Sequence, residues 1–355
     1  MSNTTEALRC PNCGAGLSFD PEKQNFHCEF CLSDFTEPEL REAGAFDDAD
    51  SEAKKNEEFC GHMAEYHCPN CGADMAVDEN TAADFCLFCH NPVVLTGKLS
   101  GQKRPDKVIP FAFDRDEAKK RFLGWAKKKV FCPSDFFSDK HADMIRGIYY
   151  PFWVTDADTD TKYETTAHRV RAWIVGKVKY IETSDFKVER TGFVHFEDIV
   201  TSAITDADKQ MLEGVLPYPS DSLIDFSMPY LSGFAAKKRN IERETLTPEV
   251  QGRMNDYAAQ LMKNTVEGYT SVDRGKANVK VKKSHWDYTL MPVWILTYKK
   301  KGKKKDKTYT FAMNGHTGKI YGELPVSIPK LLLCGAAVGL AVALLAFLLG
   351  VAICV

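Results

Sequence analysis

The sequence predicts an α+β protein with three kinds of region: two small four-cysteine modules, a two-lobed α+β body, and one C-terminal helix apolar enough to span a membrane. Three observations support this prediction. They are a doubled cysteine spacing, alternating strand-like and helix-like hydrophobic segments in the middle of the chain, and an uninterrupted apolar run at its end. We place the boundaries at 1–35, 36–65 (an acidic linker), 66–105, 106–329 (the body) and 330–355.

Each module reads C-x2-C-x14-C-x2-C, and a doubled spacing of this kind is hard to reach by chance. A two-residue gap lets two thiolates hold one ion from a tight knuckle turn, and four thiolates close a tetrahedron around Zn²⁺. Such a site has no open coordination position, so it is structural rather than catalytic. We therefore expect two zinc ribbons with two structural Zn²⁺ ions, held by Cys10, Cys13, Cys28 and Cys31, and by Cys68, Cys71, Cys86 and Cys89.

Disulfides or free buried thiols are the alternatives for these cysteines. The first nine residues have no apolar core of the secretory type, which favours a reducing compartment where disulfides are rare. His27, His67 and His90 flank the cysteine pairs and offer substitute ligands, but the matching all-cysteine spacing argues against them. Gly14 and Gly72, which follow the first cysteine pair of each module, suit a backbone turn with φ > 0.

Charge around the modules favours protein rather than nucleic acid as a partner. The segment 36–59 carries nine acidic and three basic residues, and 66–96 contains no Lys or Arg. Phosphate binding depends on Lys and Arg releasing counterions, and these surfaces offer few of them. The net charge of −3 adds no general attraction to nucleic acid.

In the first part of the body we expect a strand at 108–113, then a helix capped by Asp114 with Glu117 at its third position. The lysines of that helix are read as a solvated face. Strands follow at 148–154 and 163–173, and the three aspartates between them imitate a calcium loop. Since Thr161 stands where such a loop needs glycine, we interpret the segment as a polar hairpin turn.

In the second part we expect strands over 186–199, a helix starting at Thr247 with Pro248 at its first position, and strands near 278–281 and 290–298. A tight turn follows at Asn314-Gly315. Pro-x-Trp strands occur in both halves, at Pro151 and Pro292, so the body is expected to hold two related lobes.

The run 331–355 contains no charged side chain. At about 1.5 Å per residue it reaches roughly 37 Å, enough to cross a hydrocarbon core of about 30 Å; a buried core helix is the alternative. Lys319 and Lys330 precede it, so we expect a single-pass cell-membrane protein with its N-terminus in the cytoplasm. Gly335 and Gly339 form a small-xxx-small pattern that favours a homodimer.

Seven lysines share one expected hairpin tip close before that run. They suit either a solvated turn or contact with anionic lipid. They are Lys299, Lys300, Lys301, Lys303, Lys304, Lys305 and Lys307.

Enzyme motifs are missing from the sequence. It contains no G-x4-G-K-[ST], no G-x-S-x-G and no H-E-x-x-H. Cys132 and His141 are the only pair that suggests a nucleophile and base, and no other residue supports the pairing. We expect a protein that is not an enzyme, although an unrecognised active site in the body stays open.

Together, the paired ribbons and several body motifs resemble bacterial TFIIB-type zinc-ribbon membrane proteins, which are often labelled primosomal or helicase-like. The body motifs lie at 108–111, 147–153, 231–234, 291–294 and 314–319. Some of these proteins are similar to the membrane component encoded beside phage-shock and SPFH-like genes. The resemblance implies a membrane-anchored zinc-ribbon adaptor or scaffold that recruits a protein partner, SPFH-like or phage-shock-type, in envelope stress. The alternative is a membrane-associated nucleic-acid-binding protein.

Overall fold

The computed structural model describes twelve stretches of the chain. It shows a mixed α+β protein with two sheets and, within those stretches, five α-helices. The described residues are 9–44, 56, 59–60, 63–68, 74–78, 86, 94–98, 104–133, 144–204, 209–231, 234–300 and 307–354.

A small three-stranded antiparallel sheet forms the N-terminal module. It consists of β1 (Ser18–Asp20), β2 (Asn25–His27) and β3 (Asp34–Phe35). The β1–β2 hairpin occurs where the sequence predicts it, because Phe19 and Phe26 face each other in the register and both are buried.

A twelve-stranded sheet contains all the remaining strands. Its central path runs β10-β7-β13-β8-β11-β5-β4-β6, with β9 and β12 on β8, and β14 between β13 and β15. The strands are β4 (Met63–His67), β5 (Asp74–Asp78), β6 (Val94–Lys98), β7 (Lys107–Val108), β8 (Arg146–Val175), β9 (Val178–Ser202), β10 (Ile224–Asp225), β11 (Ala235–Lys237), β12 (Ser271–Val272), β13 (Lys276–Lys300), β14 (Lys307–Asn314) and β15 (Ile320–Gly322).

The second cysteine module is therefore continuous with the body. Its strands β4, β5 and β6 pair with one another, and β5 then pairs with β11 in the middle of the large sheet. The sheet crosses the predicted boundary at residue 105 without a break.

The five helices pack on or project from this sheet. They are α1 (Glu37–Glu42), α2 (Arg115–Lys127), α3 (Lys209–Val215), α4 (Arg243–Lys263) and α5 (Ile328–Cys354). The predicted cap of α2 is confirmed, since the carboxylate of Asp114 accepts a 2.8 Å hydrogen bond from the backbone N–H of Glu117. The α1 helix begins within the acidic segment and buries Leu40.

The predicted hairpin turn between 154 and 163 is wrong. All of these residues lie in β8, which runs unbroken for 30 residues. Thr159 and Thr161 are buried on one face, and Asp158 on the other face meets His195 of β9 at 2.7 Å. Pairing with the neighbouring strand therefore places these residues in a strand, although their sequence alone indicates a polar turn.

The helix expected to start at Thr247 starts earlier, at Arg243, with Glu242 as its N-cap. Pro248 lies inside the helix rather than at its first position. The predicted apolar face is correct for Val250, Met254 and Ala258, which are buried against β9 and β13.

The two Pro-x-Trp segments are neighbours in one sheet. They lie on β8 and β13, which pair antiparallel so that Pro151 stands opposite Leu290, and Pro292 opposite Tyr149. Trp153 and Trp294 are both buried, as core residues. The similarity between the two Pro-x-Trp segments in the sequence therefore corresponds to two adjacent strands of one sheet.

The β8–β9 hairpin ends in an exposed apolar tip. Trp173 and Tyr180 stack there with ring centroids 5.8 Å apart, and Ile174 is 71% exposed. A two-residue turn containing Gly176 at φ 64° closes the hairpin.

The C-terminal helix α5 contains a segment, Ile328–Ala346, that is long and apolar enough to cross a membrane, with mean hydropathy 2.2 and no residue buried inside the protein. Of the seven lysines expected on the preceding hairpin, Lys299, Lys300 and Lys307 lie at the ends of β13 and β14. Lys301, Lys303, Lys304 and Lys305 fall outside the described residues.

Candidate metal centre

The first four cysteines form a compact cluster. The Sγ atoms of Cys10 and Cys31 are 3.4 Å apart, those of Cys13 and Cys28 are 3.5 Å apart, and all four lie within 4.8 Å of one another. Four thiolates at the usual Zn–S distance of about 2.3 Å would have sulfurs roughly 3.8 Å apart. The arrangement therefore fits a tetrahedral zinc ion.

Two knuckle turns bring these sulfurs together. In the first, Gly14 at φ 76° donates its N–H to the carbonyl of Cys10 at 2.8 Å, which confirms the turn predicted at that glycine. In the second, Leu32 takes the equivalent place at φ 59° and donates to the carbonyl of Cys28 at 2.8 Å. A non-glycine residue thus holds a conformation that usually favours glycine.

The cluster is half enclosed. Cys10 and Cys28 are buried, whereas Cys13 is exposed. Hydrogen bonds from the Ser33 side chain and backbone lower the pKa of Cys31 to about 6. In the same cluster the backbone of Ala15 lowers the pKa of Cys13, but desolvation and hydrogen bonds to the other three thiols outweigh it and raise that pKa.

The second predicted site is only half described. Cys68 at the end of β4 and Cys86 are both fully buried, while Cys71 and Cys89 lie outside the described residues. The structure thus shows one four-cysteine cluster compatible with zinc, together with two buried cysteines of the second module.

A histidine–aspartate pair lies beside the cysteines of each module. His27 Nδ1 lies 2.7 Å from Asp34 Oδ1, and His67 Nδ1 lies 2.6 Å from Asp74 Oδ1. Each pair joins directly opposite residues of two strands, β2 with β3 and β4 with β5. In the first module the second knuckle connects the two strands, so His27 braces that knuckle from its base; in the second module the connecting residues 69–73 lie outside the described residues.

Sequence reasoning missed these pairs, although a signal for them exists. The pattern H-C-x2-C-x2-D occurs twice, at 27–34 and 67–74. In the first module it surrounds the second cysteine pair, and in the second module it surrounds the first. His90, the third flanking histidine, lies outside the described residues.

The first module docks on the body through an aromatic cluster. Tyr230 contacts Phe19 and Phe26 with ring centroids 5.0 and 5.6 Å away, and its hydroxyl donates to Glu37 at 2.7 Å. The side chain of Gln24 donates to the backbone carbonyl of Phe111 at 2.8 Å. The metal cluster is therefore attached to the large sheet by both apolar and polar contacts.

The second knuckle of this module presents apolar side chains to solvent. Phe30, between the two cysteines of the knuckle, is 81% exposed, and Leu32 just beyond it is 73% exposed. The second knuckle therefore places two large apolar side chains on the surface next to the four-cysteine cluster.

The described residues thus define an α+β protein with a sheet-rich body, a four-cysteine cluster compatible with zinc, and one helix apolar enough to span a membrane. The chain is similar to the uncharacterized protein YdjG of Bacillus subtilis (strain 168), with 32% identity over 325 residues that cover 91% of each chain. It belongs to the family of that protein. No family model and no solved structure matches the chain.

Proposed function

We propose that this protein is a single-pass, membrane-anchored cytoplasmic adaptor whose zinc ribbons recruit a protein partner to the membrane. The observation that carries the proposal is the exposed pair Phe30 and Leu32 on a metal-braced knuckle. The knuckle is held at both ends by cysteines of one cluster, so its apolar side chains are presented with little freedom to lose on binding.

Charge around the knuckle indicates the chemistry of the partner. Glu29 and Asp34 are exposed beside the apolar pair, and the acids of α1 follow in the chain. A partner with a small apolar pocket and a basic rim would complement this surface. Phosphate groups would be repelled by it.

Zinc has a structural role in this account, with one ion in each module. The first is held by Cys10, Cys13, Cys28 and Cys31, whose sulfurs fit a tetrahedron. The second is held by Cys68, Cys71, Cys86 and Cys89. The matching spacing and the matching His–Asp brace support it.

The resemblance described above supports an SPFH-like or phage-shock-type partner and a role in envelope stress. The helix α5 supplies the anchor, and Gly335 and Gly339, with no other atom close enough to meet an added side chain, would allow two anchors to pair. The lysines at 299–307 would add attraction to anionic lipid.

The test is affinity purification of the full chain from gently solubilised membranes. The intact protein is compared with Phe30→Ser/Leu32→Ser and with Trp173→Ser/Ile174→Ser, which removes another exposed apolar pair, at the β8–β9 tip. We expect one soluble protein whose recovery falls at least tenfold in the first variant only, since a central apolar anchor is worth about 2 kcal/mol or more.

The zinc content and melting temperature of both variants should match those of the intact protein, because the substituted side chains are exposed. Loss of the partner in the tip variant alone would show that the partner binds at the β8–β9 tip rather than at the ribbons. Recovery of DNA or RNA that depends on residues 1–105 would support the nucleic-acid alternative instead.

A further inference from the structure

The lysine-rich end of helix α2 lies beside the start of α5, although about two hundred residues separate them in sequence. The backbone N–H of Ser327 donates to the carbonyl of Phe131 at 2.7 Å, and Lys330 Nζ donates to the carbonyl of Cys132 at 2.7 Å. These two bonds join Phe131 and Cys132, just beyond the lysines at the end of α2, to the start of α5.

The position of α5 sets the depth of this contact. The apolar segment begins at Ile328, the residue after Ser327, and its 19 residues match the thickness of a hydrocarbon core at about 1.5 Å each. When α5 spans a bilayer, as the proposed function requires, Phe131 lies level with the edge of the hydrocarbon core. The residues just before it then lie in the headgroup layer, which is roughly 5–8 Å thick.

The side chains at this level suit that layer. Lys127 and Lys128 are exposed, and within the described ranges no carboxylate forms an ion pair with either of them. Lys129 Nζ lies 5.0 Å from the ring centre of Trp125. Val130 is 72% exposed and Phe131 39% exposed, so a basic stretch is followed directly by an apolar one.

The basic surface continues along one face of α2, which carries Asp116, Lys119, Lys120, Leu123, Gly124 and Lys127. Glu117 on the same helix is already engaged by Arg121 at 2.9 Å and Lys120 at 3.5 Å.

We propose that Lys127, Lys128, Lys129, Val130 and Phe131 form a second membrane contact, the juxtamembrane surface, which binds the headgroups of anionic phospholipids beside α5. The lysines pair with lipid phosphates, and Val130 and Phe131 enter the boundary of the hydrocarbon core. The proposal rests on α5 being a membrane anchor. It assigns to α2 a function separate from the ribbons.

The test uses the full chain in vesicles of phosphatidylcholine, with and without phosphatidylglycerol. Phe131 is replaced by the photoreactive p-benzoylphenylalanine, and lipid adducts are identified by mass spectrometry after illumination. We expect lipid adducts at 131, with phosphatidylglycerol enriched over its share of the vesicle. The same replacement at Tyr257, an exposed aromatic residue on α4, should give none.

A triple variant, Lys127→Gln/Lys128→Gln/Lys129→Gln, should reduce the phosphatidylglycerol enrichment by at least about fivefold, since each lysine near an anionic surface contributes on that scale. Raising the salt concentration should reduce it in the intact protein. The matched control Lys280→Gln/Lys282→Gln/Lys283→Gln makes the same change in net charge on β13 and should leave the enrichment unchanged.

A photoreactive group at Leu340, within the apolar segment of α5, reports on the anchor separately. Lipid adducts at 340 without any at 131 would overturn the juxtamembrane surface while leaving the anchor intact. Absence of adducts at both positions would instead contradict the membrane anchor itself. Equal labelling of both lipids at 131, unaffected by the lysine changes, would also overturn headgroup binding.

Discussion

The two cysteine modules share one spacing yet are joined to the protein in different ways. The first has its own three-stranded sheet and touches the body through side chains, chiefly around Tyr230. The second has no separate sheet, because β5 pairs with β11, and β11 with β8. The same cysteine spacing thus occurs in two settings, and the pairing of the flanking strands decides whether a module stands apart or becomes part of the core.

The His–Asp brace sharpens the contrast. In the first module the pair surrounds the second cysteine pair in the sequence, and in the second module it surrounds the first. The His–Asp pairs therefore do not occur at the same place in the chain order of the two modules. In the second module the pair joins β4 to β5, the two strands that connect to the large sheet.

The largest expected effect comes from removing one buried cysteine of each module. Cys68→Ser should lower the melting temperature of the body by about 5 °C or more, because it disturbs strands of the large sheet and a buried group is typically worth at least 2 kcal/mol. Cys28→Ser should unfold residues 9–35 locally and leave the melting of the body nearly unchanged. Circular dichroism would measure the melting temperature of the body, and hydrogen exchange would measure the local unfolding of residues 9–35.

Cys132→Ser is the matched control, since Cys132 is also buried but belongs to neither module. It should produce a smaller shift than Cys68→Ser. Equal shifts for Cys28→Ser and Cys68→Ser would break the distinction between a docked and an integrated module.

The next effect is on the docking of the first module. Tyr230→Ala should detach it, since truncating a buried aromatic side chain costs about 3 kcal/mol or more, and protease cleavage between 9 and 44 should accelerate. The zinc cluster should persist, because its four ligands do not involve Tyr230. Tyr230→Phe removes only the hydrogen bond to Glu37 and should cost about 1 kcal/mol.

A smaller effect is expected at the two braces. His27→Asn and His67→Asn should each weaken zinc retention against a chelator by about tenfold, since groups that position the ligands of a metal without binding it affect its affinity on that scale. The two variants should behave alike, because the two pairs have nearly identical geometry. A complete loss of zinc in either variant would show that the histidine is a ligand.

The smallest expected effect concerns a histidine–aspartate pair that lies outside the two cysteine modules. His168 on β8 lies 2.7 Å from Asp185 and 3.2 Å from Asp273. Hydrogen bonds that the His168 ring donates to these carboxylates, first to Asp185 and then to Asp273, raise the pKa of His168 above its usual value of about 6.5. The pair should therefore stabilise β8–β9 fully below that usual value and lose its effect as pH rises through the raised one.

Proton titration of the His168 ring by NMR would check this, with Asp185→Asn as the comparison. The variant should return the pKa toward 6.5. An unchanged pKa in the variant would contradict the assignment to Asp185.

Local rules predicted the features that depend on neighbours in sequence. The Gly14 turn, the Asp114 cap and the buried face of α4 all follow from such rules. One local rule failed, since Pro248 does not mark the start of α4. The other error arose where distant partners decide the structure. The aspartates at 156–160 belong to a strand because β9 and β13 pair there, and a single sequence does not show that pairing.

The features of the candidate site also divide into those that neighbours in sequence predict and those that depend on distant residues. Cysteine spacing was sufficient to identify the four ligands that form the cluster. The attachment of the ribbon to Tyr230 was not visible, because that residue lies about two hundred positions away. The placement of the α2 lysines beside α5 depends on backbone hydrogen bonds equally distant in sequence.

The zinc content of the purified full chain tests the central claim most directly. Elemental analysis should give two zinc ions per chain in the intact protein and one in each of Cys28→Ser and Cys68→Ser, since each module holds its own ion. One ion in the intact protein, retained in Cys68→Ser, would contradict the account by showing that the second module is held by its strands alone.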